Sequence, residues 1–149
     1  MVGRKFFSVI IAGSITLLAS AHVFAQTDVI EQRQKLMKSN SADAKAIKGA
    51  VGKKDYASIE TKAKEIAGNA DKIVELFPKG SDKGETRAKA AIWEKSDEFA
   101  KDAKSLAKAA NELAAAAKSK DDAAIAVKVK AVSEACGSCH DNFRAKKSN

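Results

Sequence analysis

Apolar residues recur at three- and four-residue spacing along four stretches of this chain, at residues 28–51, 56–77, 88–118 and 121–146. Such spacing is typical of amphipathic helices, which place one apolar face against a common core. Alternation of apolar and polar residues is nearly absent, because alanine, lysine, glutamate and leucine dominate and the β-branched residues beyond the first 25 positions are scattered. The pattern therefore predicts an all-α protein.

The segments between these stretches predict how the helices are connected. Gly52 and the charged run Lys53-Lys54-Asp55 end the first stretch, and residues 119–121 separate the third from the fourth. The longest connection, residues 78–87, holds the only proline and two glycines. Because short connections make neighbouring helices antiparallel, we expect an antiparallel four-helix bundle with one crossover loop.

The first 25 residues are typical of a secretory signal peptide rather than of a folded segment. Arg4 and Lys5 precede an apolar run over residues 6–19, and the small-residue pattern Val23-Phe24-Ala25 offers a cleavage site. The alternative is a retained membrane anchor, for which a run of about 14 residues is short, since a spanning helix needs roughly 20. We therefore expect residues 1–25 to be removed on export, with the periplasm as the final compartment.

Residues 26–149 are the expected mature chain, and their length suits one domain. The formal charge is +6 rather than the +8 of the whole chain, because the signal segment carries two basic residues and no acidic one. Lysines are interleaved with acidic residues, so we expect a solvated helical surface with a mild preference for acidic partners and no nucleic-acid binding. The mature chain keeps one histidine, His140, and one methionine, Met37, since the other residue of each type lies in the signal segment.

The last predicted helix carries Cys136-Gly137-Ser138-Cys139-His140, which has the spacing used for covalent attachment of c-type haem. On a helix the two cysteines and the histidine lie within about one turn of each other, so both thiols can bond the porphyrin while the imidazole is held beside the iron. The motif predicts one covalently bound haem c, attached through Cys136 and Cys139 and ligated by His140.

Three other functions use closely spaced cysteines. A thioredoxin-like redox pair lies between a strand and a helix, a context that this chain lacks. A structural zinc site takes four ligands, and the sequence offers no fourth ligand nearby. A simple disulfide would leave His140 without a role. These alternatives stay open from the motif alone, although export favours haem, since c-type haem is attached after export.

The iron of such a haem has a second axial position, for which Met37 is the predicted ligand. At 1.5 Å per residue, Met37 lies about 13 Å into the first predicted helix and His140 about 10 Å before the end of the last one. In an antiparallel bundle these depths nearly coincide, so both side chains would face a haem held between the two helices. The alternative is that Met37 is an ordinary core residue, the usual role of a methionine on an apolar stripe.

Two segments of the mature chain are informative as a pair: Arg33-Gln34-Lys35-Leu36-Met37-Lys38 near its start and Cys136-Gly137-Ser138-Cys139-His140-Asp141-Asn142-Phe143-Arg144 near its end. Together with Ile92-Trp93-Glu94 and Phe99 in the third predicted helix, they resemble the cytochrome c′ family, and most closely its low-spin cytochrome c-556 branch. The resemblance covers essentially the whole mature chain.

The resemblance implies roles for individual residues. His140 looks like the proximal iron ligand and Arg144 like the family arginine near that imidazole, whereas Arg33 resembles an arginine that meets a haem propionate. Met37 stands where the low-spin branch has a methionine ligand, which implies six-coordinate iron. Family members with a non-ligating side chain there have five-coordinate iron and bind small gases. A solvated surface position for Arg33 and a plain helix-terminal charge for Arg144 are the alternatives.

The predicted function is a one-electron carrier rather than an enzyme, because a histidine–methionine pair suits electron transfer and the mature chain has no second histidine for distal acid–base chemistry. The alternative is a five-coordinate haem protein that binds nitric oxide or carbon monoxide. We expect redox partner proteins, no stable membrane insertion after cleavage, and a monomer or a homodimer. Trp93 and Phe99 are expected in ordinary core packing, with contact to the porphyrin as the alternative.

Replacing both Cys136 and Cys139 with alanine is expected to make the haem extractable, because no covalent bond then holds it. Acid–acetone treatment of the denatured protein should leave haem on the unaltered polypeptide and remove it from the variant. Ser138→Ala is the control. Ser138 lies between the two cysteines, and its replacement leaves both thiols in place, so this variant should retain its haem. Loss of haem from the unaltered matured protein would contradict c-type attachment.

Overall fold

The computed structural model describes residues 18–147, with side-chain surroundings from residue 28 onward. The helices of this part of the chain are α1 (Leu18–Val51), α2 (Tyr56–Ala70), α3 (Ala91–Glu94), α4 (Ser96–Lys118) and α5 (Asp122–Phe143). A turn of 3-10 helix, Val74–Leu76, follows α2. The predicted all-α class is confirmed, since the described residues contain an isolated β-bridge but no strand.

The four long helices form the predicted antiparallel bundle. α1 lies along α2, α2 along α4 and α4 along α5, whereas α1 contacts α5 only sparsely. The turn between α1 and α2 meets the start of α5, where Lys54 and Tyr56 both bond the carboxylate of Asp122. Away from this junction α1 and α5 are separated by a cleft.

The core consists of aliphatic side chains and alanines from all four long helices. The largest fully buried side chains are Ile47, Ile59, Ile66, Leu113 and Ile125. α4 contributes mainly alanines to the core, and these small side chains let it approach α2 and α5 closely.

Two aspartates define where α2 and α5 begin. Asp55 accepts a hydrogen bond from the backbone N–H of Ser58, and Asp121 accepts one from that of Ala124. A side-chain oxygen at this position satisfies an N–H that has no partner within the helix. The two segments that the sequence predicts as breaks between helices therefore also provide the residues that start the next helix.

The second helix ends at Ala70 rather than at Phe77, so its predicted length is wrong. Beyond Ala70 the chain tightens, and the N–H groups of Ile73 and Phe77 each donate to the carbonyl three residues earlier, at 3.1 Å. Phe77 has φ −125° and ψ 54°, because a residue before proline avoids the helical region.

The third predicted helix is divided into α3 and α4 at Lys95, whose backbone has φ −123° and ψ 50°. No proline or glycine marks this break. The indole Nε1 of Trp93 donates to the carbonyls of Phe77 and Pro78, at 3.0 and 2.9 Å. α3 is therefore tied to the exit of α2, a tertiary contact that helical periodicity does not encode.

The last helix ends at Phe143, three residues before the predicted end at residue 146. Its tail pairs with the crossover loop instead of continuing the helix. The N–H of Lys89 donates to the carbonyl of Phe143 at 3.0 Å, and that of Ala145 donates to the carbonyl of Arg87 at 2.8 Å. The loop and the end of α5 thus hold each other in place.

The predicted signal peptide, residues 1–25, lies mostly outside the described residues, and its cleavage stays a prediction. Residues 18–25 form the beginning of α1. Within residues 18–147, no helix combines the length and the apolar character that crossing a membrane requires.

Leu113→Ala is expected to lower the free energy of unfolding by about 3 kcal/mol, because it leaves a cavity where a fully buried side chain packs. Val127→Ala is the control: Val127 is 64% exposed on α5, so the change should be less than about 0.5 kcal/mol. Urea denaturation of the haem-loaded proteins, followed by far-ultraviolet circular dichroism, measures both values. Equal losses in the two variants would be inconsistent with this core.

Candidate haem site

A cleft of about 670 Å³ lies between the middle of α1 and the end of α5. Sites for cofactors and small molecules in proteins typically occupy roughly 300–1,000 Å³. The crossover loop, α3 and α4 contribute the remaining walls. Side chains from distant parts of the sequence therefore meet around one space large enough for a cofactor.

α5 presents the haem-attachment motif at this cleft. Cys139 and His140 line it, and Cys136, one turn earlier, is half-buried. Both thiols are free rather than joined in a disulfide. In residues 18–147, no group of three or more His, Cys, Asp or Glu side chains gathers as a metal site.

Burial keeps the two thiols in their neutral form. It raises the pKa of Cys136, and it raises the pKa of Cys139 to about 11, with the charges of Asp102 and Cys136 adding to the shift. Redox-active cysteine pairs have a lowered pKa, because the thiolate is the reactive form. The raised pKa values of the two thiols therefore do not favour a thioredoxin-like redox pair.

His140 is held as a neutral imidazole at pH 7. Burial lowers its pKa, and the positive charge of Arg87 lowers it further, while Asp141 acts in the opposite direction. A neutral imidazole has a nitrogen lone pair available for a metal ion. The lowered pKa of His140 thus favours the form of the imidazole that can bind iron.

Met37 lines the cleft from α1, so the structure brings together the two side chains that the sequence predicts as axial ligands. The depth comparison that suggested this used two wrong helix ends, because α1 begins at Leu18 rather than at Asp28 and α5 stops at Phe143. Met37 is also half-buried against the hydrophobic core. Its position suits both ligation and packing, and ligation stays a prediction.

Arg33 is buried, with 3% of its surface exposed, and it binds the crossover loop. Its Nη1 donates to Ser81 Oγ at 2.9 Å, and its Nη2 donates to the Ser81 carbonyl at 2.8 Å and to Thr86 Oγ1 at 2.9 Å. The guanidinium carbon lies 4.6 Å from the ring centre of Phe77, a cation–π contact. Arg33 is therefore not a solvated surface residue.

Arg33 also contributes to the cleft wall. Burial lowers its pKa, yet an arginine remains charged at neutral pH. Arg33 thus holds a positive charge beside the cleft, as a propionate contact would require. That contact itself stays a prediction, because both Nη atoms already bond loop oxygens.

Phenylalanine rings form the apolar wall of the cleft. Phe77 and Phe143 both pack edge-on against Phe99, with ring centroids 5.0 and 5.2 Å away. All three rings line the cleft, so Phe99 serves both the core and the site. Trp93 lies 6.4 Å from Phe77 and is not part of the lining; its indole holds the loop instead.

Arg144 and Arg87 lie together at the rim of the cleft, and both are exposed. Arg144 is the residue that follows α5, in extended conformation, and is joined to Ala88 by the β-bridge. Sequence reasoning did not single out Arg87, Ser81 or Thr86. They lie in a loop without periodicity, so their type and spacing gave no signal of what they contact.

These residues fit a haem c. Two free thiols and a neutral imidazole lie within one turn of α5, a thioether lies across the cleft on α1, and aromatic rings provide the apolar surface between them. This is the donor set used for covalent attachment and for histidine–methionine ligation.

Known proteins resemble this chain over nearly its full length. The family model described as Cytochrome C′ matches residues 28–144. A cytochrome c′ of Rhodopseudomonas palustris is 38% identical over 142 residues, which cover 93% of this chain and 95% of that protein. A cytochrome c-556 of the same organism is 33% identical over 148 residues, which cover 93% of this chain and 97% of that protein.

The fold agrees with these sequence matches. A solved cytochrome c′, described by an unusual ligand-controlled dimer dissociation, superposes with a TM-score of 0.76 at 31% identity, covering 81% of this chain and 97% of that one. The resemblance predicted from the two terminal segments is confirmed, and with it one covalent haem c as the cofactor. The chain belongs to the cytochrome c′ family.

Proposed function

We propose that this protein is a one-electron carrier whose haem iron is ligated by His140 and Met37. The observation that carries the proposal is that Met37, the only methionine beyond residue 25, lines the same cleft as His140. Haem c supplies an iron that exchanges one electron, and a histidine–methionine pair raises its reduction potential. No residue of the site is assigned a catalytic role.

The side chains of the cleft would hold haem c in different ways. Cys136 and Cys139 tether it, and the neutral imidazole of His140 binds from the α5 side. Met37 offers a soft sulfur from α1, which stabilises the ferrous state. The rings that line the cleft limit access of water to the site.

A five-coordinate haem protein that binds nitric oxide or carbon monoxide is the second candidate. The names of the matched proteins support this candidate better than the first, because cytochromes c′ are prominent among them and one is described by a ligand-controlled change. The two candidates differ in whether the Met37 sulfur occupies the sixth position. The spin state of the iron therefore decides between them.

We further propose that the protein is exported and that it exchanges electrons with other redox proteins in the periplasm. The signal-like segment before residue 26 supports export. A homodimer is proposed beside the monomer, because a family member of similar fold forms a dimer.

Met37→Ala is expected to turn low-spin iron into high-spin iron, to open carbon monoxide binding in the reduced state and to lower the reduction potential, because the sulfur ligand is lost. Met37→Leu should act similarly while keeping most of the packing. Absorption spectra of both oxidation states, with and without carbon monoxide, measure these changes. The wild type should show a weak sulfur-to-iron band in the near infrared.

Leu36→Ala is the matched control, because Leu36 is a half-buried neighbour on α1 that does not line the cleft. It should keep the wild-type spectrum. If Met37→Ala and Met37→Leu also keep it, Met37 is a core residue only. A high-spin wild type would favour the gas-binding candidate.

Haem-free protein, made as the Cys136→Ala, Cys139→Ala, His140→Ala variant, is expected to be less helical and to melt at a lower temperature than the loaded protein. A group bound only by the native state adds its binding free energy to stability. Circular dichroism at increasing temperature measures both properties. Equal helicity and equal melting temperatures would show that the bundle forms its core without haem.

A further inference from the structure

Asp102 is an acidic residue among the buried side chains of α4. Phe99, one turn before it, packs edge-on against Phe143 of α5 and lines the cleft. Ala103 and Leu106, which follow it, are both buried. Asp102 itself is only partly accessible to water. A carboxylate therefore lies on or next to the side of α4 that faces the haem-binding helix.

One oxygen of this carboxylate has no partner. The Oδ2 atom is buried and accepts no hydrogen bond from any residue that the structure describes. Lys101 and Lys104, the basic residues nearest to it along α4, are exposed to solvent. A buried polar atom without a partner is costly, so its presence in a native fold requires an explanation.

Asp102 lies level with the haem-attachment motif. α4 and α5 run antiparallel, and Phe99 of α4 packs on Phe143 of α5. Residue 102, about one turn after Phe99, is therefore at the same height in the bundle as Cys139, about one turn before Phe143. At this separation between packed helices a charge acts through the protein interior with little screening.

We propose that Asp102 lowers the reduction potential of the haem by holding a partly buried negative charge beside the Cys139 attachment point. A negative charge near the porphyrin stabilises the more positive ferric state over the ferrous state. Asp102 acts through space and is neither an iron ligand nor a catalytic residue. The inference rests on the haem site of the proposed function, and it holds for either identity of the sixth ligand.

Asp102→Asn removes the charge and keeps the shape of the side chain. At a fixed ambient potential, the ferrous-to-ferric ratio of this variant should rise about tenfold, which corresponds to 59 mV for a one-electron couple. Redox titration of the haem-loaded protein, followed by its absorption spectrum, measures the ratio. Asp102→Glu, which retains a carboxylate, should have a ferrous-to-ferric ratio closer to that of the wild type than to that of Asp102→Asn.

Asp97→Asn is the matched control. Asp97 lies on the same helix, and its substitution makes the same change of charge, but its side chain is exposed. Its effect on the ratio should be small and should vanish at high salt, because solvent ions screen exposed charges, whereas the effect of Asp102→Asn should persist. Equal shifts in the two variants, or a shift at Asp102 that salt abolishes, would overturn the proposal.

Two readouts separate this inference from the proposed function. The spin state and the near-infrared band report on Met37, and they should be the same in wild type and Asp102→Asn. A wild type with high-spin iron would refute ligation by Met37 without affecting the comparison of potentials. Unchanged potentials in Asp102→Asn, together with wild-type spectra, would refute only the role of Asp102. If Asp102→Asn folds poorly, Asp102→Ser provides the same loss of charge with a smaller side chain.

Discussion

The buried guanidinium of Arg33 is the interaction on which the shape of the cleft depends. It joins α1 to the crossover loop through oxygens of Ser81 and Thr86 and lies over the ring of Phe77. Removing a charged donor from water is costly unless its hydrogen bonds are replaced. Here neutral oxygens and an aromatic face replace them, so loop and helix hold one another in a single arrangement.

A second contact holds the same loop at its other end. Backbone hydrogen bonds join Lys89 and Arg87 to the residues at the end of α5. α1 and α5 therefore maintain their spacing through the loop and through α2 and α4, with little direct contact between them. A gap between two helices is unstable if apolar side chains can close it. The loop holds the two helices apart at this gap, which is the space that we propose for the haem.

The features that sequence reasoning predicted well are local or periodic. The class and the four long helices follow from apolar spacing, and Cys136, Cys139 and His140 lie on one helix as their spacing predicted. Met37 lines the same cleft as His140, while haem attachment and iron ligation by these residues stay predictions.

The features that the sequence did not predict are set by tertiary contacts. The helix end at Phe143 and the break at Lys95 accompany hydrogen bonds to distant backbone atoms. Those partners lie in or beside a loop without periodicity, so the pattern gives no sign of them. The same limit applies to Asp102, whose place near Cys139 results from the packing of α4 on α5. Its spacing from Phe99 alone would equally suit a solvated side chain.

The cleft separates two properties that a haem protein must control. Met37 lines the cleft from α1, so the sixth ligand that we propose is held by a helix that the loop positions. Asp102 lies on α4, which packs along α5, so the effect that we propose for its charge does not depend on whether the iron binds sulfur. Under the proposed ligation, a change at residue 37 would alter the sixth ligand without altering the charge near Cys139. A change at residue 102 can shift the potential without altering the ligand set. In this four-helix bundle with a cleft between α1 and α5, changes at residues 37 and 102 would be independent of each other, because the two residues lie on different helices.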